Sequence, residues 1–153
     1  MTLEQQLQLI IDDAANYGVP SLVVESAIAP VLKVFAEQLQ HLEYYVLQNL
    51  DEDWVLTTIT NPQLQQSKKV IYAFISVQDA ATFQGTANAD LIAMPIDVVQ
   101  LLFRLFSLQE VDSIIFLENS SNLNHGVEIE RDRLSQLIRQ QIEQLGKIPP
   151  NIA

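Results

Sequence analysis

KVIYAFISVQDAATF, residues 69–83, decides the fold class. Val70, Tyr72 and Phe74 alternate with Ile71, Ala73 and Ile75, so a β-branched and aromatic run is apolar on both faces, the pattern of a strand covered on two sides. At Ser76 the period changes. Ser76 and Asp79 have the spacing of a capping box, in which the serine oxygen accepts a first-turn N–H and the carboxylate sits near the positive end of a helix. A buried strand therefore runs straight into a short helix. The same stretch holds no nucleophile, metal ligand or phosphate cradle, so it speaks to class and not to chemistry.

Working outward, 153 residues with 48% apolar and 18% charged side chains describe one domain with enough apolar material for a core. No apolar run reaches the roughly 20 residues of a membrane helix. The start, MTLEQQLQLI, lacks a cationic region ahead of an apolar one and reads as the first helix of the mature protein, not as an export signal. Zero cysteines exclude disulfides, thiol catalysis and cysteine-based zinc sites, which makes the cytoplasm the expected compartment. The net charge of -11, with Lys and Arg scattered at 33, 68, 69, 104, 131, 133, 139 and 147, excludes the basic stripe that binds nucleic acid and opposes anionic membranes. It suits a basic protein partner, but self-repulsion that aids solubility is the ordinary explanation of the same charge.

Towards the N-terminus, Thr2 and Gln5 give a second capping box, and Leu3, Leu7, Ile10, Ala14 and Tyr17 follow at helical steps until Gly18 and Pro20 end the helix. Ser21 is placed to cap the segment after it. Pro30 predicts a break in the apolar stretch from Leu22 to Leu42, with Leu32, Phe35, Leu39 and Leu42 as its clearest stripe and Ser21 to Ile28 open between a short helix and an extended piece. Glu43 to Gln48 and Asp53 to Thr60 read as a hairpin about Asn49 to Glu52. With the strand ending at Ile75, they predict a three-stranded antiparallel meander.

Towards the C-terminus, Gly85 to Asn88 reads as a turn and Asp90 to Pro95 as a short strand. Pro95 and Ile96 then open an apolar helix carrying Val98, Val99, Leu101, Leu102, Leu105 and Phe106, buried nearly all round. Val111 to Glu118 is an inner strand, Asn119 to Gly126 a polar loop with a turn glycine, and Val127 and Ile129 an exposed edge strand. The last helix, Arg131 to Leu145, aligns Leu134, Leu137, Ile138, Ile142 and Leu145 and stops at Gly146.

This order of elements, with Phe74, Ser76, Asp79 and Phe83 around the first helix of the core, Asp97 and Leu101 in the second, and Val127, Ile129, Arg131 and Leu134 at the close, resembles the N-terminal domain of the SseB family, named after enhanced serine sensitivity. The resemblance covers roughly Tyr44 to Leu137. Where the family carries an Asn-Pro-Gly-like turn, this chain has Glu118, Asn119, Ser120 and Ser121. The resemblance implies little chemistry and brings no catalytic residues with it.

Direct candidates for chemistry are few. His41 and His125 have no second histidine within helical or hairpin reach; His41 suits a helix C-terminus and His125 a surface loop. Asp51, Glu52 and Asp53 could collect a hard cation, yet they lack the Asp/Asn alternation, glycine and distant glutamate of a calcium loop and read as a solvated turn. Glu128 and Glu130 read as guards of an exposed edge. No glycine-rich phosphate loop or Gly-x-Ser-x-Gly elbow occurs. Tyr44, Tyr45, Trp54 and Tyr72 fall on neighbouring strands, where core packing competes with a pocket or peptide groove. Trp54, at a strand start beside an acidic turn, is the one suited to a docking surface.

The reading is an α+β (α/β sandwich) fold: one mixed, mainly antiparallel sheet of five to six strands with packed helices, comprising N-terminal helices (1–42), an SseB-like core (43–145) and a tail (146–153). No catalytic, cofactor or metal site is assigned. The expected function is a non-enzymatic cytoplasmic protein-interaction domain using Tyr44, Tyr45, Trp54, Asp51, Glu52 and Asp53, with homodimerisation through the N-terminal helices open. The alternatives are an acidic secretion-type peptide-binding chaperone and a small-molecule-binding regulator or enzyme using the Asp51 to Trp54 turn.

Overall fold

The computed structural model of the chain describes residues 1–84, 90–118 and 126–146. The turn expected at Gly85 to Asn88, His125 with most of its loop, and the tail beyond Gly146 lie outside the described residues.

The mixed α+β class holds, and the strands divide between two sheets instead of sharing one. In the larger, the order is β2 (Thr57–Asn61), β3 (Gln66–Ala73), β5 (Ser113–Phe116), β6 (Val127–Glu130). β2–β3 and β5–β6 are antiparallel, whereas β3–β5 is parallel, with Ile71 opposite Ile114. The smaller sheet pairs β1 (Glu43–Gln48) antiparallel with β4 (Ile92–Asp97), Tyr45 facing Pro95. The two sheets are joined by a bridge between Tyr45 and Phe74, whose N–H groups donate to each other's carbonyls at 2.6 and 2.8 Å.

This overturns the meander. Asn49 to Asp53 does close a tight turn, but behind it the first hairpin has a single bridge, Gln48 to Trp54, and a Val55 N–H to Leu47 carbonyl bond of 2.9 Å. β2 starts at Thr57, not Asp53, because β1 takes its ladder from β4 instead. β4 is likewise shifted, so Pro95 and Ile96 belong to the strand and the helix begins at Val98. A proline is tolerated on this strand because β4 pairs with β1 alone and needs donors on one side only.

Helix α1 (Leu3–Asp12) carries the full capping box: the Gln5 N–H donates to Thr2 Oγ1 at 3.1 Å and the Thr2 N–H to Gln5 Oε1 at 2.9 Å. A 3₁₀ turn comes next, closed by Gly18 at φ +71°. Helix α2, residues 21–37, is continuous where a break at Pro30 was expected: Ser21–Val23 leads into a π turn, Val24–Ile28, and on through Ala29–Glu37. The Ala29 N–H bonds the Val24 carbonyl, five residues back, and this wider turn makes room where the Pro30 ring would meet the preceding turn. Pro20, not Ser21, holds the N-cap place and makes no side-chain cap bond. Because α2 ends at Glu37, Leu42 and His41 lie beyond it, and the helix-dipole reading of His41 falls away.

Helices α3 (Val77–Gln84), α4 (Val98–Ser107) and α5 (Arg131–Gly146) complete the fold. At the start of α3 the Asp79 N–H donates to Ser76 Oγ at 3.1 Å, as the spacing required. The main core joins Leu32 of α2, Leu101, Leu102 and Leu105 of α4, and Leu134 and Ile138 of α5 to Ile71, Ala73, Ile114, Phe116 and Ile129 of the sheet. A smaller cluster, Phe74, Ala80 and Leu117 with Tyr45, Leu47, Tyr72, Ala93 and Ile115, packs separately and includes α3. β6 is an edge strand as expected, and α4 buries six of its ten residues. α1 spends Leu7 and Ile10 on the core of its own chain, which leaves Leu9 as the exposed apolar residue of the helix.

One buried polar residue ties distant parts together. Gln6 of α1 donates from Nε2 to the Leu42 carbonyl at 3.0 Å and accepts at Oε1 from the Val99 N–H at 3.1 Å. Asp97 makes no side-chain cap bond, so Gln6 satisfies a first-turn donor of α4 from another helix.

Candidate functional site

The six side chains expected to form one interaction surface are dispersed. Tyr44 is fully buried and serves the core: its hydroxyl donates to Glu118 Oε1 at 2.5 Å and accepts from the His41 N–H at 3.3 Å. Burial and the Glu118 bond push that hydroxyl well above the usual tyrosine range. Glu118 Oε2 also accepts from the Gln40 N–H at 3.2 Å, so the pair fastens the chain after α2 to the end of β5. Tyr45 is half-buried in the smaller cluster. Trp54 is only 8% exposed. Asp51, Glu52 and Asp53 remain on the surface, their turn organised by Asn49 Oδ1, which accepts from the Asp51 and Asp53 N–H groups at 2.9 and 3.0 Å.

Glu128 is not a free edge guard. It accepts from Lys68 Nζ at 2.5 Å and from the buried Ser113 Oγ at 2.6 Å, linking β3, β5 and β6, while both Glu128 and Glu130 stay on the exposed face of the edge strand. Partial burial raises the Glu128 carboxyl, but the Lys68 and Ser113 bonds and the Lys68 charge outweigh it and leave the group below its ordinary value. In the unfolded chain Glu128 takes up a proton near 4.5, before the folded form does, so its contribution is present above that pH and is lost as pH falls below it. Urea unfolding between about pH 6 and pH 3 should show this acid-side loss, and Lys68→Met should flatten it. An unchanged slope in the variant would count against the assignment.

Among the described residues, no three His, Cys, Asp or Glu side chains stand close enough to hold a metal ion, and no helix is long and apolar enough to cross a membrane. Two clefts do open, on either side of residues 54–57. Side chains in an extended segment alternate between its faces, and here Val55 and Thr57 line one cleft while Trp54 and Leu56 line the other.

The first cleft, about 210 Å³, is bounded by Leu47, Val55, Thr57, Leu91 and three aromatic rings. Phe83 of α3 lies 4.6 Å from the Tyr72 centroid and 5.3 Å from that of Phe74, and is still 39% exposed. The second cleft, about 270 Å³, is lined by Asp53, Trp54, Leu56, Arg104, Leu108 and Glu110 among others. The Arg104 guanidinium lies 3.9 Å above the Trp54 ring. Burial lowers the Arg104 pKa, opposed by Tyr17 and Asp53.

Arg104, Phe83 and Leu91 escaped the search for functional side chains, although Phe83 carries part of the family resemblance. Arg104 had a signal, being the single charge in VVQLLFRLFS, a helix otherwise apolar enough to be buried. Phe83 had none, since an aromatic near a helix end is ordinarily packed. The chain matches no protein-family model and no curated protein, so the likeness to the SseB domain rests on the residues quoted for it.

Proposed function

We propose that this chain is a non-enzymatic, cytoplasmic protein-interaction domain of the SseB-like type, which holds a partner segment in the cleft between α3 and residues 55–57. The observation that carries this reading is the exposed Phe83 ring packed at a tilt against Tyr72 and Phe74 in the lining of an apolar cleft. Large aromatic side chains that remain accessible are typical anchors of docking surfaces. The occupant is a segment with an apolar anchor residue flanked by Lys or Arg. Charge supports this choice: the chain carries -11 overall, and the exposed acidic turn at Asp51 and Glu52 joins Leu47 to Val55, two of the residues that line the cleft.

Fluorescence anisotropy with labelled peptides tests it. A peptide with a leucine or phenylalanine anchor between lysines should bind saturably and more weakly as salt rises from about 0.05 to 0.5 M, whereas a glutamate-flanked twin should not bind. Phe83→Ser should lower the affinity at least about tenfold. Equal binding of the two peptides, or of the variant, would overturn the proposal, as would saturable turnover of a metabolite by the purified chain.

A further inference from the structure

The second cleft differs from the docking cleft in kind, because two of its polar groups have no hydrogen-bond acceptor among the described residues. A guanidinium taken partly out of water is ordinarily paired with a carboxylate or bonded to carbonyls. Arg104 is half-buried on α4, yet among the described residues nothing accepts a hydrogen bond from its guanidinium. Its guanidinium carbon lies over the face of Trp54, a contact that takes up none of its N–H groups as hydrogen-bond donors. Trp54 Nε1, buried beside it, is also without an acceptor among the described residues. The guanidinium N–H groups are therefore open to an acceptor oxygen brought by a ligand.

The same cleft is lined by Asp53 and Glu110, which are exposed. A simple anion would meet two carboxylates in the same lining, and a simple cation would meet Arg104. A molecule bearing both a carboxylate and an ammonium complements both charges of the lining. Leu56, Ile71, Leu108 and Val111 supply an apolar wall for a carbon side chain, and about 270 Å³ holds a small molecule and not a folded partner. We infer that this cleft binds a zwitterion of the free α-amino acid class, its carboxylate in the plane of the Arg104 guanidinium and its ammonium between Asp53 and Glu110. This site is separate from the docking cleft, and neither needs the other.

Trp54 is the chain's only tryptophan, so its emission reports the site directly. The whole chain is titrated with the non-aromatic L-amino acids, with acetate and methylammonium at equal ionic strength as single-charge controls. At least one amino acid should change the emission saturably below about 10 mM, and both controls should bind at least about tenfold more weakly. Arg104→Gln should weaken binding at least about tenfold, and Glu110→Gln severalfold. Glu110 is exposed, so its variant decides the matter if Arg104→Gln unfolds. Phe83→Ser should leave the titration unchanged, which separates this site from the docking cleft. Acetate binding as tightly as any amino acid, no saturation by any of them, or unaltered binding in a folded Arg104→Gln or Glu110→Gln chain would overturn the inference.

Discussion

Replacing Gln6 with alanine is expected to lower the unfolding free energy by about 1.5–4.5 kcal/mol, because the buried Val99 N–H is left without an acceptor, at about 1–3 kcal/mol, and the Leu42 carbonyl loses a second bond, at about 0.5–1.5 kcal/mol. The Val99 N–H would lose its acceptor and the Leu42 carbonyl would lose one of its donors, the Val98 N–H at 2.9 Å remaining. Gln6→Leu separates packing from hydrogen bonding: it restores volume without polar atoms, so it should recover only part of the loss. Urea unfolding of the three proteins measures this. A change below about 1 kcal/mol in both variants would show that the bonds contribute little.

Gly126→Ala is expected to cost about 1–3 kcal/mol through overpacking. A Cβ at that position would stand 2.9 Å from the Phe116 carbonyl oxygen and 2.9 Å from Ile115 Cγ2. A side-chain methyl can yield, but a carbonyl held in the β5 ladder cannot move without disturbing the pairing of Phe116 with Val127. The sequence suggested a turn glycine here. The structure gives a steric reason for glycine, the absence of a side chain where β6 returns to β5. Gly18, at φ +71° with open space about it, is the reverse case. Thermal unfolding of Gly126→Ala beside Gly18→Ala would compare the two mechanisms, and a Gly126→Ala chain as stable as the parent would refute the steric argument.

Local signals were legible. The Thr2–Gln5 box, the Gly18 stop, the Ser76 cap and the apolar face of α4 all depend on residues within one or two helical turns, and the structure has them where spacing put them. What sequence spacing does not encode is partner choice between distant segments. EYYVLQ is as compatible with a hairpin partner as with β4, and it pairs with β4. Pro30 carried a local rule that holds for a regular α-helix, and the π turn escapes the rule by changing the helix. Trp54 and Asp53 were singled out as neighbours in sequence, but the residue that gives their cleft its character is Arg104, fifty positions away and visible only as a lone charge in an apolar run.

The pairing scheme also dictates an order of events during synthesis. When a ribosome has delivered the first ninety or so residues, β2 and β3 can zip together, but β1 still waits for β4, β3 for its parallel neighbour β5, and Gln6 for the start of α4. Parallel and long-range contacts of this kind are slow to close and leave apolar surface open meanwhile. The nascent N-terminal half is thus the interval in which this protein is most exposed to aggregation and has most to gain from a holding chaperone.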